Sequence, residues 1–214
     1  MKKMCPRQSV SVLGILLLLT FLPAVNISAA SIKPLEIFSE KILVREIEFL
    51  ATEHSLNSTL LRKSVSRLNR EMNIMSKSTA GQSLKLLIDV DEKLSAAVKS
   101  SAALSGYLIT NSATLKGAGH ERYLPLALMD KEVEGDYFKS LATFVKTAFD
   151  LVNFCHDNYD AVSSGGKEAT KRYDELYAAY LKDMELFNSQ SIARSQLLSE
   201  MGAEYAFLWE LMPR

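Results

Sequence analysis

Between Pro34 and Pro213 the chain contains a single proline, Pro125. A proline inside a helix removes a backbone hydrogen bond and clashes with the preceding turn, so its scarcity permits long helices almost everywhere. The apolar residues use that freedom. Leu61, Val65, Leu68, Met72 and Met75 recur at spacings of four and three, and so do Leu87, Val90, Leu94, Ala97, Ser101, Leu104 and Leu108. These spacings place each set on one face of a helix. Val, Ile and Thr nowhere alternate convincingly with polar residues, and no Asn-Gly or Asp-Gly hairpin signal occurs. The pattern predicts an all-α fold, an antiparallel helical bundle of four or five long helices with a long central connection.

The first predicted helix spans 34–53, with two adjoining apolar rows, Leu35, Phe38, Ile42, Phe49 and Leu43, Ile47, Leu50. A turn or kink is expected at 54–59, because His54, Ser55, Asn57, Ser58 and Thr59 are residue types that favour caps over helix interiors. A second helix follows at 57–76, a loop at 76–81, and a third helix at 82–112. From Thr114 to Gly135 the periodicity fails, and Gly117, Gly119, Pro125 and Gly135 punctuate the segment. Its apolar middle, Tyr123 to Met129, is costly to leave in water, so the segment reads as a crossover packed on the bundle, with a lid or docking loop as the functional alternative.

The fourth predicted helix, 136–161, carries the broadest apolar sector, formed by Phe138, Leu141, Val145, Phe149 and Val152 beside Phe144, Leu151, Phe154 and Cys155. It stops at Ser163-Ser164-Gly165-Gly166. Beyond it Tyr173, Tyr177, Tyr180, Met184 and Phe187 form a seam that continues in phase to Leu198, Met201, Tyr205, Leu208 and Met212. Ser191 and Arg194 occupy seam positions in between. A buried arginine is expensive unless paired, so a kink or a division of the helix is expected near Asn188 to Ser191.

The first thirty residues have the three parts of a secretory leader: Lys2, Lys3 and Arg7, an apolar run from Val10 to Val25, and the small-residue exit Ser28-Ala29-Ala30. Cleavage is expected after Ala30, giving a signal peptide at 1–30 and a helical bundle domain at 31–214. Pro23 breaks the apolar run where the cleavage site must be extended. The alternative is membrane anchoring through residues 9–30, a stretch without charge and long enough to cross a bilayer. Cys5 precedes the apolar run, which argues against lipid attachment. Three of the 25 basic residues and none of the 25 acidic ones lie in the leader, so the mature chain has a net charge of −3. That mild acidity gives no electrostatic basis for nucleic acid binding and disfavours anionic lipid surfaces. One cysteine, Cys155, remains, which excludes an intramolecular disulfide.

The groups capable of chemistry are few. Cys155 and His156 are neighbours on one helix and so point about 100° apart, whereas a nucleophile needs its histidine across space. The expectation is a buried inert thiol, with His156 and Asp160 as an i, i+4 ion pair. His54, near Glu46, Glu48 and Glu53, reads as part of a solvated charged face. No Glu-x-x-His, Cys-x-x-Cys-His, His-Glu-x-x-His or Gly-x-Ser-x-Gly motif occurs, and Gly117-Ala118-Gly119 lacks a preceding strand. Tyr173, Tyr177 and Tyr180 are expected to pack with their hydroxyls at the rim rather than to line a site. No catalytic, cofactor-binding or metal residue, and no cofactor, is therefore assigned. The expected function is that of an exported noncatalytic bundle, periplasmic or secreted, that binds a protein partner or small ligand. The alternative is a metal- or haem-binding bundle of the cell envelope using His54, His120 or His156.

Overall fold

The computed structural model describes residues 33–124 and 134–204. The leader, its cleavage site, the apolar middle of the crossover from Pro125 to Met129, and the seam positions Tyr205, Leu208 and Met212 lie outside the described residues, as do the side chains of Leu35, Phe38, Leu198 and Met201. The chain divides into two units, 1–40 and 41–214, and packing is described for the second. The fold is all-α, with no strand among the described residues: α1 Lys33–Glu71, α2 Lys77–Thr110, the short α3 Ser112–Gly117, a 3-10 turn Glu121–Tyr123, α4 Gly135–Asp157, the single turn α5 Tyr159–Ser163, and α6 Lys167–Glu204.

The long helices run up, down, up, down. As residue numbers rise along α1 its partners on α2 fall: Ser100 beside His54, Asp89 beside Ser64, and Ser83 beside Asn73. Between α2 and α4, Gly81 lies near His156 while Ser101 bonds Glu134 just before α4. Between α4 and α6, Phe144 meets Tyr180 and Phe187, and Tyr137 meets Phe187 and Arg194.

The expected break at 54–59 is absent; α1 continues through it. A Ser, Asn or Thr inside a helix costs only a few tenths of a kcal/mol relative to the best helix formers, about 0.5. Here the inward contacts of Ser55, which is buried, and of His54 offset that cost. The turn lies at 72–76 rather than at the expected 76–81. Asn73 N–H donates to Ser83 Oγ and the Ser83 hydroxyl donates back to the Asn73 carbonyl, both at 2.8 Å. Ser76 then caps α2: Thr79 N–H donates to Ser76 Oγ at 3.1 Å and Ser76 N–H to Thr79 Oγ1 at 2.9 Å. This reciprocal box satisfies two otherwise orphaned donors, so Lys77 to Gly81 starts a helix instead of forming a loop. Met75, expected in the stripe, falls in the turn and is 79 % exposed.

The α2 stripe is buried at every expected position. On α4, Phe138, Leu141, Phe144, Val145, Leu151, Val152 and Cys155 are buried, whereas Phe149 is 38 % exposed. Of the two rows on α1, Leu43 and Ile47 are buried and Leu50 is half-buried, while Ile42 and Phe49 face water. The described part of the crossover forms α3 and the 3-10 turn, whose Leu115 and Tyr123 are buried. Gly165, with φ +73°, ends the α5 turn in a left-handed conformation that suits glycine. The expected division of the last helix does not occur either: α6 is continuous for 38 residues, about 57 Å.

Two apolar clusters result. The larger joins α1, α2, α4 and α6 around Leu61, Leu68, Leu87, Leu141, Phe144 and Phe187. The smaller gathers Leu43, Ile47, Leu104, Leu108, Leu115 and Tyr123. Each fully buried aliphatic or aromatic side chain contributes roughly 1.5–3 kcal/mol. The buried residues between the clusters, Ser55 on α1 and Ser100 and Ser101 on α2, are polar.

Candidate functional site

The stripe of α2 is apolar down to Ala97, carries Ser100 and Ser101, and becomes apolar again at Leu104. On α1 the corresponding interval holds His54, Ser55 and Ser58, between Ile47 and Leu61. Small hydroxyl residues let the helices approach, and Ser100 returns its own hydroxyl to the Ala97 carbonyl at 3.0 Å. Into this layer α4 brings Glu134, immediately before its first residue, where the helix dipole favours negative charge. From α6 comes Arg194.

Glu134 is the hub. Its Oε2 lies 2.9 Å from His54 Nε2 and accepts from Ser101 Oγ at 3.2 Å, while its Oε1 accepts a short hydrogen bond from Arg194 Nη2. His54 Nδ1 lies 3.3 Å from Ser100 Oγ. The Arg194 guanidinium sits 4.9 Å from the centre of the Tyr137 ring, a cation–π contact in a largely desolvated setting. Tyr137 in turn packs against Phe138 and Phe187, each with ring centres 5.6 Å apart. Burial alone pushes the Glu134 carboxyl up. The hydrogen bond and charge of His54 and the charge and hydrogen bond of Arg194 outweigh it and bring the pKa down to about 2. At neutral pH Glu134 is therefore ionised, and His54 Nε2 is the donor to it. Burial also pushes the Tyr137 hydroxyl up. Arg194 Nε and Ser58 Oγ are buried without a hydrogen-bond partner in the protein among the described residues.

This arrangement explains the seam arginine. The helix does not divide, and the guanidinium is paired with a carboxylate delivered from a different helix. It also corrects the reading of His54, whose side chain is only 16 % exposed and points inward, away from the acids of its own helix. Glu134 was missed because it lies in a stretch without periodicity. Arg194 was the available signal, since an unavoidable buried cation demands an acid somewhere else in the chain.

The remaining candidates are dispersed. Cys155 is buried, and burial pushes its thiol up, away from the reactive thiolate. His156 pairs through Nδ1 with Asp157 at 2.9 Å, not with Asp160, which replaces the expected i, i+4 pair by a neighbouring one. His120 lies by Tyr123, with ring centres 6.1 Å apart. Tyr173, Tyr177 and Tyr180 stack in succession at 5.7 and 6.1 Å, and Tyr180 meets the buried Phe144. Among the described residues no group of three or more His, Cys, Asp or Glu side chains converges as a metal site, and no helix is long and apolar enough to cross a membrane. An open depression of about 570 Å³ at the α5–α6 turn is lined by Phe154, Asn158, Lys167 and Arg172 among others, and Arg172 is already paired with Glu175.

Chemically, the central layer binds its own groups. Glu134 is ionised, buried and occupied on both oxygens, so it has neither the proton of a general acid nor the access of a base. No protein-family model, curated protein sequence or solved structure matches the chain.

Proposed function

We propose that the chain is an exported, noncatalytic helical-bundle protein that binds a protein partner or small ligand along the flank of α6. One observation carries the reading. The polar groups capable of chemistry that do converge, His54, Glu134 and Arg194 with Ser100 and Ser101, are engaged with one another. Large apolar side chains, by contrast, remain in water on α6, where Tyr177, Leu181 and Ile192 are 40, 40 and 58 % exposed. Tyrosine beside exposed aliphatic residues is the composition of a binding surface rather than of a reacting centre. The leader supports export, and the mild negative charge of the mature chain supports a protein or small-ligand partner over nucleic acid.

A photo-crosslinking residue placed at Tyr177 or Ile192 in the native envelope tests the binding surface, with Glu92, exposed on α2, as the control. A discrete adduct from the α6 positions and none from Glu92 is expected. Adducts at all three positions, or at none, would refute the flank as the binding surface. The alternative, a metal- or haem-binding bundle, is decided by the absorption spectrum and metal content of the same preparation. The N-terminus of the exported chain is expected at Ser31. A chain beginning at Met1 and sedimenting with membranes would establish anchoring through residues 9–30 instead.

A further inference from the structure

Among the described residues, the outward face of α1 from Ile42 to Leu60 stays exposed, and it has an internal logic of its own. Ile42, Phe49 and Leu56 recur every seven residues and are 52, 62 and 49 % exposed, and Leu60, on the same face, is 37 % exposed. At 100° per residue, Arg45 and Lys63 lie along one edge of this row and Glu46 and Glu53 along the other. All four are exposed, and among the described residues none of them forms an ion pair. The face is thus apolar in the middle, basic on one side, acidic on the other, and neutral in sum.

We infer that this face of α1 pairs with the same face of a second copy of the chain, the two helices parallel and related by a two-fold axis along them. Rotation about that axis keeps each residue at its height and exchanges left for right, so the basic edge of one copy meets the acidic edge of the other. Arg45 then stands opposite the partner's Glu46, while Ile42, Phe49 and Leu56 each meet their own counterparts at the seam, as in a coiled coil. An antiparallel pairing sets basic edge against basic edge and acidic against acidic, and so opposes itself. A partner of uniform charge satisfies one edge and is repelled by the other. The apolar row supplies the affinity, and the edges select partner and direction.

The test is sedimentation equilibrium of the purified exported chain, with four variants. Wild type is expected to dimerise. Phe49→Glu, at a position 62 % exposed and therefore harmless to the fold, is expected to weaken dimerisation by more than about tenfold, with helicity by circular dichroism unchanged. Arg45→Glu and Glu46→Arg are each expected to weaken it by several-fold, and the double exchange to restore it. For direction, Ile42→Cys and Leu56→Cys, each in a Cys5→Ser, Cys155→Ala background, should each crosslink to themselves, and a mixture of the two should give no heterodimer. A monomer at every concentration, an unaffected Phe49→Glu dimer, a strengthened Arg45→Glu dimer, or crosslinks only in the mixture would overturn the inference. So would a different protein crosslinked at position 49.

Discussion

Replacing Glu134 by Gln keeps the shape of the hub and removes its charge, which makes Glu134→Gln the most informative single change in this protein. Two routes give its size. Breaking a buried ion pair by removing one partner costs about 3–5 kcal/mol, and the lower end applies because the Arg194 and His54 side chains keep 22 and 16 % exposure and can recruit water. Independently, a carboxyl brought from its ordinary 4.5 down to about 2 stabilises the fold by about 3 kcal/mol at neutral pH. The sign follows from the direction of the shift. Because the folded pKa lies below the unfolded one, this contribution is complete above about pH 4.5 and is lost as the pH falls through about 2. Urea unfolding followed by circular dichroism should therefore show the variant about 3 kcal/mol less stable than wild type at about pH 7, the gap closing as the pH approaches about 2. Combined with Arg194→Met, the variant should cost less than the two single changes added together, by about 1–3 kcal/mol. Equal stabilities at neutral pH, or a gap that does not vary with pH, would refute the account of Glu134 as a charged hub.

Ser76→Ala removes the capping box of α2 and should cost about 1 kcal/mol in the same urea assay. Phe144→Ala, at a position 2 % exposed between Phe187 and Tyr180, should cost about 3–5 kcal/mol and broaden the near-ultraviolet spectrum of the aromatic ladder. Gly165→Ala forces an alanine to φ +73° and should lower stability by about 1–2 kcal/mol, with no change in helicity elsewhere. Cys155 should react with an aromatic disulfide reagent only as fast as the bundle opens, since it is buried and its thiol is held protonated by burial.

The fold was legible wherever a helix has one apolar face and one partner surface. The α2 stripe from Leu87 to Leu108 and the buried sector of α4 could be read from spacing alone, because burial on one face repeats with the helical period. On α1 the spacing showed two rows of equal hydrophobicity, and only the packing distinguishes Leu43 and Ile47, which are buried, from Ile42 and Phe49, which are not. Polar residues misled in both directions. Ser55 and Ser58 looked like a break and are helical interior, whereas Ser76 and Thr79 looked like loop and are a cap. The distinction rests on tertiary partners, such as Ser83 for Asn73, that have no local signature. The central layer was half legible. Arg194 announced an expense on the seam, but the residue meeting it lies sixty positions earlier in the chain, in a segment without helical periodicity.

Among the described residues the layer of His54, Glu134 and Arg194 also separates two apolar clusters, and this bears on how the molecule opens. Cooperative melting requires that exposing one part of a core expose the rest, and a slab of ionic contacts interrupts that continuity. Among the described residues, the small cluster of Leu43, Ile47, Leu104, Leu108, Leu115 and Tyr123 is drawn from α1, the end of α2, α3 and the 3-10 turn. Amide protons at that end should therefore exchange through sub-global excursions that leave the Leu87–Leu141–Phe144 region protected. A charged hub set between two apolar clusters is thus expected to let one end rearrange while the other holds its shape.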